Sequence, residues 1–164
     1  MSEIIVGYDG SECSKEALEK AFEIAQAFGD KVVIVFGYAP GGYGGGEIPT
    51  HREAVEELAE KVTAEADKRA QEAGIEHEVR LKPLRPSHAL IEAAGEGDAR
   101  LIVLGTYSEP PLKGAILGST PYKLLHESAV PVLVVPALAT SIKGVIPSAR
   151  SSEIAFCRKS MLIR

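Results

Sequence analysis

Tryptophan is absent from this chain, aromatic residues make up only 5% of it, and cysteine occurs twice, at Cys13 and Cys157. Two thiols cannot build a disulfide framework or complete a four-ligand metal site between them. The four histidines, His51, His77, His88 and His126, have no ligand spacing on a shared element, so no protein-held metal is expected. No apolar run approaches the roughly 20 residues that cross a bilayer. The N-terminus passes from Met1 into Ile4-Ile5-Val6 without the basic stretch of a secretory leader. The expected location is therefore the cytoplasm, with no membrane partner. Excess positive charge is also missing, since 18 Lys and Arg stand against 23 Asp and Glu, a net charge of −5. Nucleic-acid binding usually shows as a basic patch or stripe, so nucleic acid is not an expected partner.

What is present is ordinary globular material: 164 residues, 45% hydrophobic and 25% charged. That length suits one domain with a sizeable core. The charge is uneven along it. Residues 137–164 carry Lys143, Arg150, Arg158, Lys159 and Arg164 against Glu153, a net +4 that leaves −9 on residues 1–136. The sequence divides into an α/β domain over 1–136 and a basic tail over 137–164. Two readings of the tail stand side by side: an extension that recruits an acidic partner, or disordered or vector-derived sequence foreign to the domain.

Within 1–136, short β-branched runs alternate with helical periodicity. Ile4-Ile5-Val6, Val32 to Phe36, Leu101 to Leu104 and Val132 to Val135 read as buried strands. The segment Ile75 to Lys82 is half polar, as an edge strand should be. Helices are expected over Ser11–Phe28, His51–Ala73, Ser87–Ala94 and Ser119–Glu127. Ser11 is a fitting N-cap and Gly29 a fitting stop for the first. Its buried face is expected to include Leu18, Ala21, Ala25 and Phe28, and that of the second Val55, Leu58, Val62, Ala66 and Ala73. Glu56, Glu57 and Glu60 belong to the second helix's solvated face.

The alternation implies a parallel sheet with helices on both faces, and the crossover rule leaves few topologies; the expected one is a doubly wound, five-stranded sheet of order 3-2-1-4-5, a Rossmann-like nucleotide-binding fold. Such a sheet binds ligands beyond the carboxyl ends of its strands, where strand order reverses. Two loops meet there: Gly7-Tyr8-Asp9-Gly10-Ser11, and Gly105 through Ser119. Glycines permit close backbone approach to a phosphate, and a helix starting at Ser119 aims its free N–H groups at an anion. Lys113 is the loop's cation. The glycine-rich segment 41–46 reads as a connection or as a lid over a ligand. Asp9 reads as a ligand contact or as part of the first helix's cap.

These loops, with the ending Pro131-Val132-Leu133-Val134-Val135, resemble the universal stress protein family. The first strand runs into Asp9-Gly10-Ser11, and Gly105 stands to Gly118-Ser119 at the spacing of the family's G-x2-G-x9-G-S/T signature. The resemblance implies ATP, its phosphates and ribose on the second loop and its adenine between the ends of strands one and two. Carried over by position, the nucleotide-binding candidates are Gly7, Asp9, Gly37, Gly105, Thr106, Ser108, Gly118, Ser119 and Thr120, with Lys113 added as the loop's cation. Asp9 is also the candidate contact to a nucleotide-bound Mg2+. A homodimer or larger assembly joined through Val132–Val135 is expected because that edge strand carries no charge, and the resemblance agrees; the basic tail could cover that edge instead.

The signature's second glycine is replaced by Ser108, Glu109 puts a negative charge in the phosphate loop, and Pro110-Pro111 removes two backbone donors. Three functions therefore compete. The first is an ATP-responsive stress or signalling module with an unknown protein partner. The second is a nucleotide-independent interaction protein of the same fold, its loop disabled by Ser108, Glu109, Pro110 and Pro111. The third, an ATP-dependent ligase or adenylyltransferase, needs a catalytic cation or acid–base pair that these loops do not supply. No catalytic residue is expected, and any ATP turnover would be slow and incidental.

Overall fold

The computed structural model describes residues 1–38, 49–106 and 117–136. Ser108, Glu109, Pro110, Pro111, Lys113, the segment 41–46 and the tail 137–164 lie outside the described residues. The elements run β1 (Glu3–Gly7), α1 (Glu12–Phe28), β2 (Lys31–Gly37), α2 (Pro49–Glu72), β3 (His77–Lys82), α3 (Pro86–Glu96), β4 (Ala99–Gly105), α4 (Ser119–Glu127) and β5 (Val132–Val135). All strand pairings are parallel, and the order is β3-β2-β1-β4-β5. This is the doubly wound fold expected from the sequence.

Side chains alternate across the sheet, so each apolar strand feeds two cores. Ile4, Val6, Val32, Ile34 and Val103 pack with α1 and α2 on one face. Ile5, Val33, Val35, Ile102 and Leu104 pack with α3 and α4 on the other. Burial on both faces explains why the buried centres of β1, β2 and β4, residues 4–6, 32–35 and 102–104, are all Ile, Val or Leu.

Helix α1 begins where Ser11 Oγ accepts the Ser14 amide at 3.2 Å, and ends where Gly29 takes φ 70° and donates to Ala25 O at 2.8 Å. Its sheet-facing residues include Ala17, Leu18, Ala21, Phe22 and Ala25. Phe28, expected in that face, is 62% exposed because it is the helix's last residue; the Arg100 guanidinium lies 4.8 Å above its ring. The face of α2 differs in a similar way. Ala59, Thr63, Ala66 and Ala70 are buried and Val62 is partly buried, whereas Leu58 and Ala73 are exposed. The long helix meets the sheet through small residues, and Leu58 stands about one helical step (roughly 100°) off that stripe. Glu57 and Glu60 are solvated as expected, but Glu56 accepts a hydrogen bond from the Tyr38 hydroxyl at 3.1 Å.

At the β3 edge, Glu78 bonds Lys31 Nζ at 2.5 Å and Arg80 Nε at 2.6 Å. Lys82 bonds Glu92 and Glu96 of α3 at 2.7 and 2.6 Å. This ionic lattice braces the edge, whose Val79 packs on the core, and discourages further strand pairing. At the other edge, β5 presents Leu133 at 37% exposure and no charged side chain.

Candidate functional site

In a parallel sheet every helix that follows a strand starts at the same end. Here the starts of α1, α3 and α4 surround the carboxyl ends of β1, β2 and β4. Between them lies a cleft of about 400 Å³, near the low end of the range of roughly 300–1,000 Å³ common for small-molecule sites. It sits at the crevice between β1 and β4, where strand order reverses.

The first wall is the turn after β1. The Tyr8 amide donates to Val35 O at 3.1 Å, tying the turn to β2. Gly10 takes φ 81°, a left-handed conformation that favours glycine, with Val62 of α2 packed beside it. Asp9 Oδ1 accepts the Ser11 amide at 3.0 Å, and Ser11 caps α1. Asp9 therefore shapes the cap while its exposed side chain lines the cleft. The neighbouring Tyr8 ring is buried, and its hydroxyl has no hydrogen-bond partner among the described residues. Burial and then the nearby Glu65 carboxylate push that phenol up to about 12.

The second wall is the start of α4. Gly118 caps it with φ −70°, an ordinary conformation, so glycine contributes there by lacking a side chain. The Gly118 amide donates to Thr106 O at 2.7 Å, closing the base of the intervening loop. Ser119 and Thr120 then line the cleft with amides that have no intrahelical acceptor. The next residue, Pro121, has no N–H to add. The floor is apolar, formed by Val35, Leu90 and Leu104.

The cleft brings together Gly7, Asp9, Gly37, Gly105, Gly118, Ser119 and Thr120. Thr106 is not in its lining: its amide donates to Val135 O at 3.1 Å, and its hydroxyl lies 3.5 Å from the buried Cys13 sulfur. Two of the glycines also have a second reason to be glycine. A Cβ on Gly105 would sit 2.5 Å from Cys13 Cβ and 2.7 Å from its backbone carbon, so α1 rests directly on this residue. A Cβ on Gly37 would sit 2.8 Å from both Pro86 Cα and Ala89 Cβ of α3.

Pro86 and Leu90 of α3 were not among the expected site residues, nor were Ser14, Leu104 and Pro121. The signal that points to Pro86 is positional, because a helix that follows a parallel strand opens at the ligand-binding end of the sheet. Among the described residues, no group of three or more His, Cys, Asp or Glu is placed to hold a metal ion.

A model of the universal stress protein family matches residues 1–136. A universal stress protein of Thermus aquaticus is 38% identical over 136 residues, covering 80% of this chain and 96% of that one. One from Mycobacterium tuberculosis is 30% identical over 148 residues, covering 80% and 94%. Among solved structures, a universal stress protein in complex with cAMP is 31% identical, with a TM-score of 0.64 over 83% of this chain and 97% of that one. A universal stress protein from Archaeoglobus fulgidus is 26% identical, with a TM-score of 0.68 over 82% and 98%. This chain belongs to the universal stress protein family.

Proposed function

We propose that this protein is a cytosolic module that binds an adenine nucleotide in the cleft between residues 7–11 and the start of α4. The observation that carries the reading is the meeting, in one cleft, of an apolar floor, the Asp9 turn and the open amides of Ser119 and Thr120. An apolar floor suits a base, and a helix N-terminus suits a phosphate. The relative solved with cAMP is support from outside the chain.

ATP is the form the loop resemblance implies. Ser119 and Thr120 would receive a phosphate through amides and hydroxyls, and Gly118 would let it approach. Gly7 and Gly37 would flank the base at the strand ends. Asp9 would hold the ribose or, with Mg2+ present, contact the metal on the phosphates. When bound, the nucleotide supplies the negative charge that complements the α4 dipole. Mass spectrometry of the purified full chain, followed by calorimetric titration with ATP, tests the reading. Co-purified or titratable adenine nucleotide is expected; no heat and no thermal shift at millimolar ATP would overturn the ATP assignment.

A second reading, a nucleotide-independent interaction protein, is favoured by one observation. The first turn of α4 offers two open amides where three are usual, because Pro121 occupies its third position. Glu109, Pro110 and Pro111 add to that case through the sequence alone. In either reading we propose that the protein pairs with itself through the uncharged β5 edge.

A further inference from the structure

At the junction between α2 and β3, His77 makes two contacts of unusual chemistry. Its Nδ1 lies 2.9 Å from the carbonyl oxygen of Ile75, and its Nε2 lies 2.9 Å from Asp67 Oδ1 of α2. A carbonyl and a carboxylate only accept hydrogen bonds, and a neutral imidazole carries one N–H. Both contacts are hydrogen bonds only when the ring carries two protons. In either neutral tautomer, one nitrogen lone pair would face an oxygen lone pair at the same distance. Gln71 Nε2 donates to the carboxylate's other oxygen at 2.7 Å.

We propose that His77 is a proton-operated clasp that fastens the C-terminal half of α2 to the edge of the sheet. The ring is well enclosed, its side chain 14% exposed. From α2, the charged group facing it is Asp67. Lys68 and Arg69 of the same helix pair instead with Glu72, and with Glu19 and Glu65. From β2, the paired position is Val32, which is apolar. Lys31 and Glu78 are bonded to each other on the opposite face of the sheet, and Glu76 in the preceding turn is exposed. The fully bonded form is the protonated one, so the clasp is closed on the acid side and loosens as pH rises and the ring loses its proton. Helix α2 also carries Val62, which packs beside Gly10 in the turn after β1. The inference stands on the clasp's own geometry and needs no ligand in the cleft.

The experiment is hydrogen exchange on the full chain from about pH 5.5 to about pH 8.5, the span in which histidine charge commonly changes. Protection factors are corrected for intrinsic rates and read for residues 63–72 against α1 as an internal reference. Nitrogen chemical shifts of the His77 ring, recorded in parallel, report its protonation. In the wild type, protection of residues 63–72 is expected to fall relative to α1 as the ring deprotonates. In His77→Gln the relative protection is expected to stay flat across the range. Asp67→Asn, which leaves the histidine in place, is expected to flatten it too. A wild-type profile that stays flat while the ring titrates would overturn the proposal, as would an equal fall in His77→Gln.

Discussion

Gly105→Ala is the substitution for which the structure makes the sharpest statement. The added Cβ would lie 2.5 Å from Cys13 Cβ, 2.7 Å from Cys13 C and 2.9 Å from Cys13 O. Two of those three atoms are backbone, so no side-chain rotation relieves the contact, and α1 must lift from the end of β4. Overpacking of this kind costs about 1–3 kcal/mol. Backbone contacts below 3 Å place this case in the upper half, about 2–3 kcal/mol. For a domain of this size that lowers the melting temperature by roughly 5–10 °C. Trimming the partner with Cys13→Gly should not rescue the variant, because the two backbone contacts remain. Gly95 in α3 is the control: a Cβ there meets nothing within 4 Å, so Gly95→Ala should gain about 0.5 kcal/mol from helix propensity. Urea and thermal unfolding of the three variants check both signs. If Gly105→Ala lies within about 0.5 kcal/mol of the wild type and loses only ligand binding, the packing argument is wrong and the glycine serves the ligand alone.

Three further outcomes follow from the same geometry. Gly118→Val should weaken nucleotide binding by at least about tenfold, because a branched side chain would stand at the mouth of the α4 N-terminus; its melting temperature should fall only slightly, through a poorer N-cap worth about 1 kcal/mol. Asp30, whose carboxylate is held by Arg100 and the Ser2 amide, lies below the usual carboxylate range, chiefly through its hydrogen bonds from Arg100. A carboxylate lowered in the fold contributes stability that is present above its unfolded value and lost as pH falls through its folded value. Acid unfolding of Asp30→Asn should therefore show a shallower pH slope than the wild type on the acid side of the normal aspartate range. Under the proposed pairing through β5, Leu133→Glu, which places a charge on that strand, should sediment as a folded monomer and the wild type as a dimer; a variant that still sediments as a dimer would reject pairing through β5.

Much of the fold was legible because β1, β2 and β4 are buried on both faces, which leaves almost no freedom in their composition. The edge strand β3 was legible for the opposite reason, since Glu78, Arg80 and Lys82 have no place in a buried strand. The errors came where residue size misled. Leu58 and Phe28 look like core residues at helical spacing, but α2 approaches the sheet through Ala59, Ala66 and Ala70, and Phe28 stands at the end of its helix. A periodic pattern marks a face without saying which large side chains overhang its border. Of the site, the two loops could be read from local motifs. The share of α3 could not, because Pro86 and Leu90 enter the cleft through the sheet's connectivity. The packing duties of Gly37 and Gly105 were hidden too, because a glycine that seats a helix and one that admits a phosphate look alike in sequence.

The most direct test of the account is a backbone chemical-shift map of the full chain titrated with ATP and, separately, AMP. The account predicts saturable shifts at Gly7, Asp9, Gly105, Gly118, Ser119 and Thr120, with the β3 edge around Glu78 and Arg80 unmoved. Saturable shifts centred anywhere else, or none with either nucleotide at millimolar concentration, would contradict it.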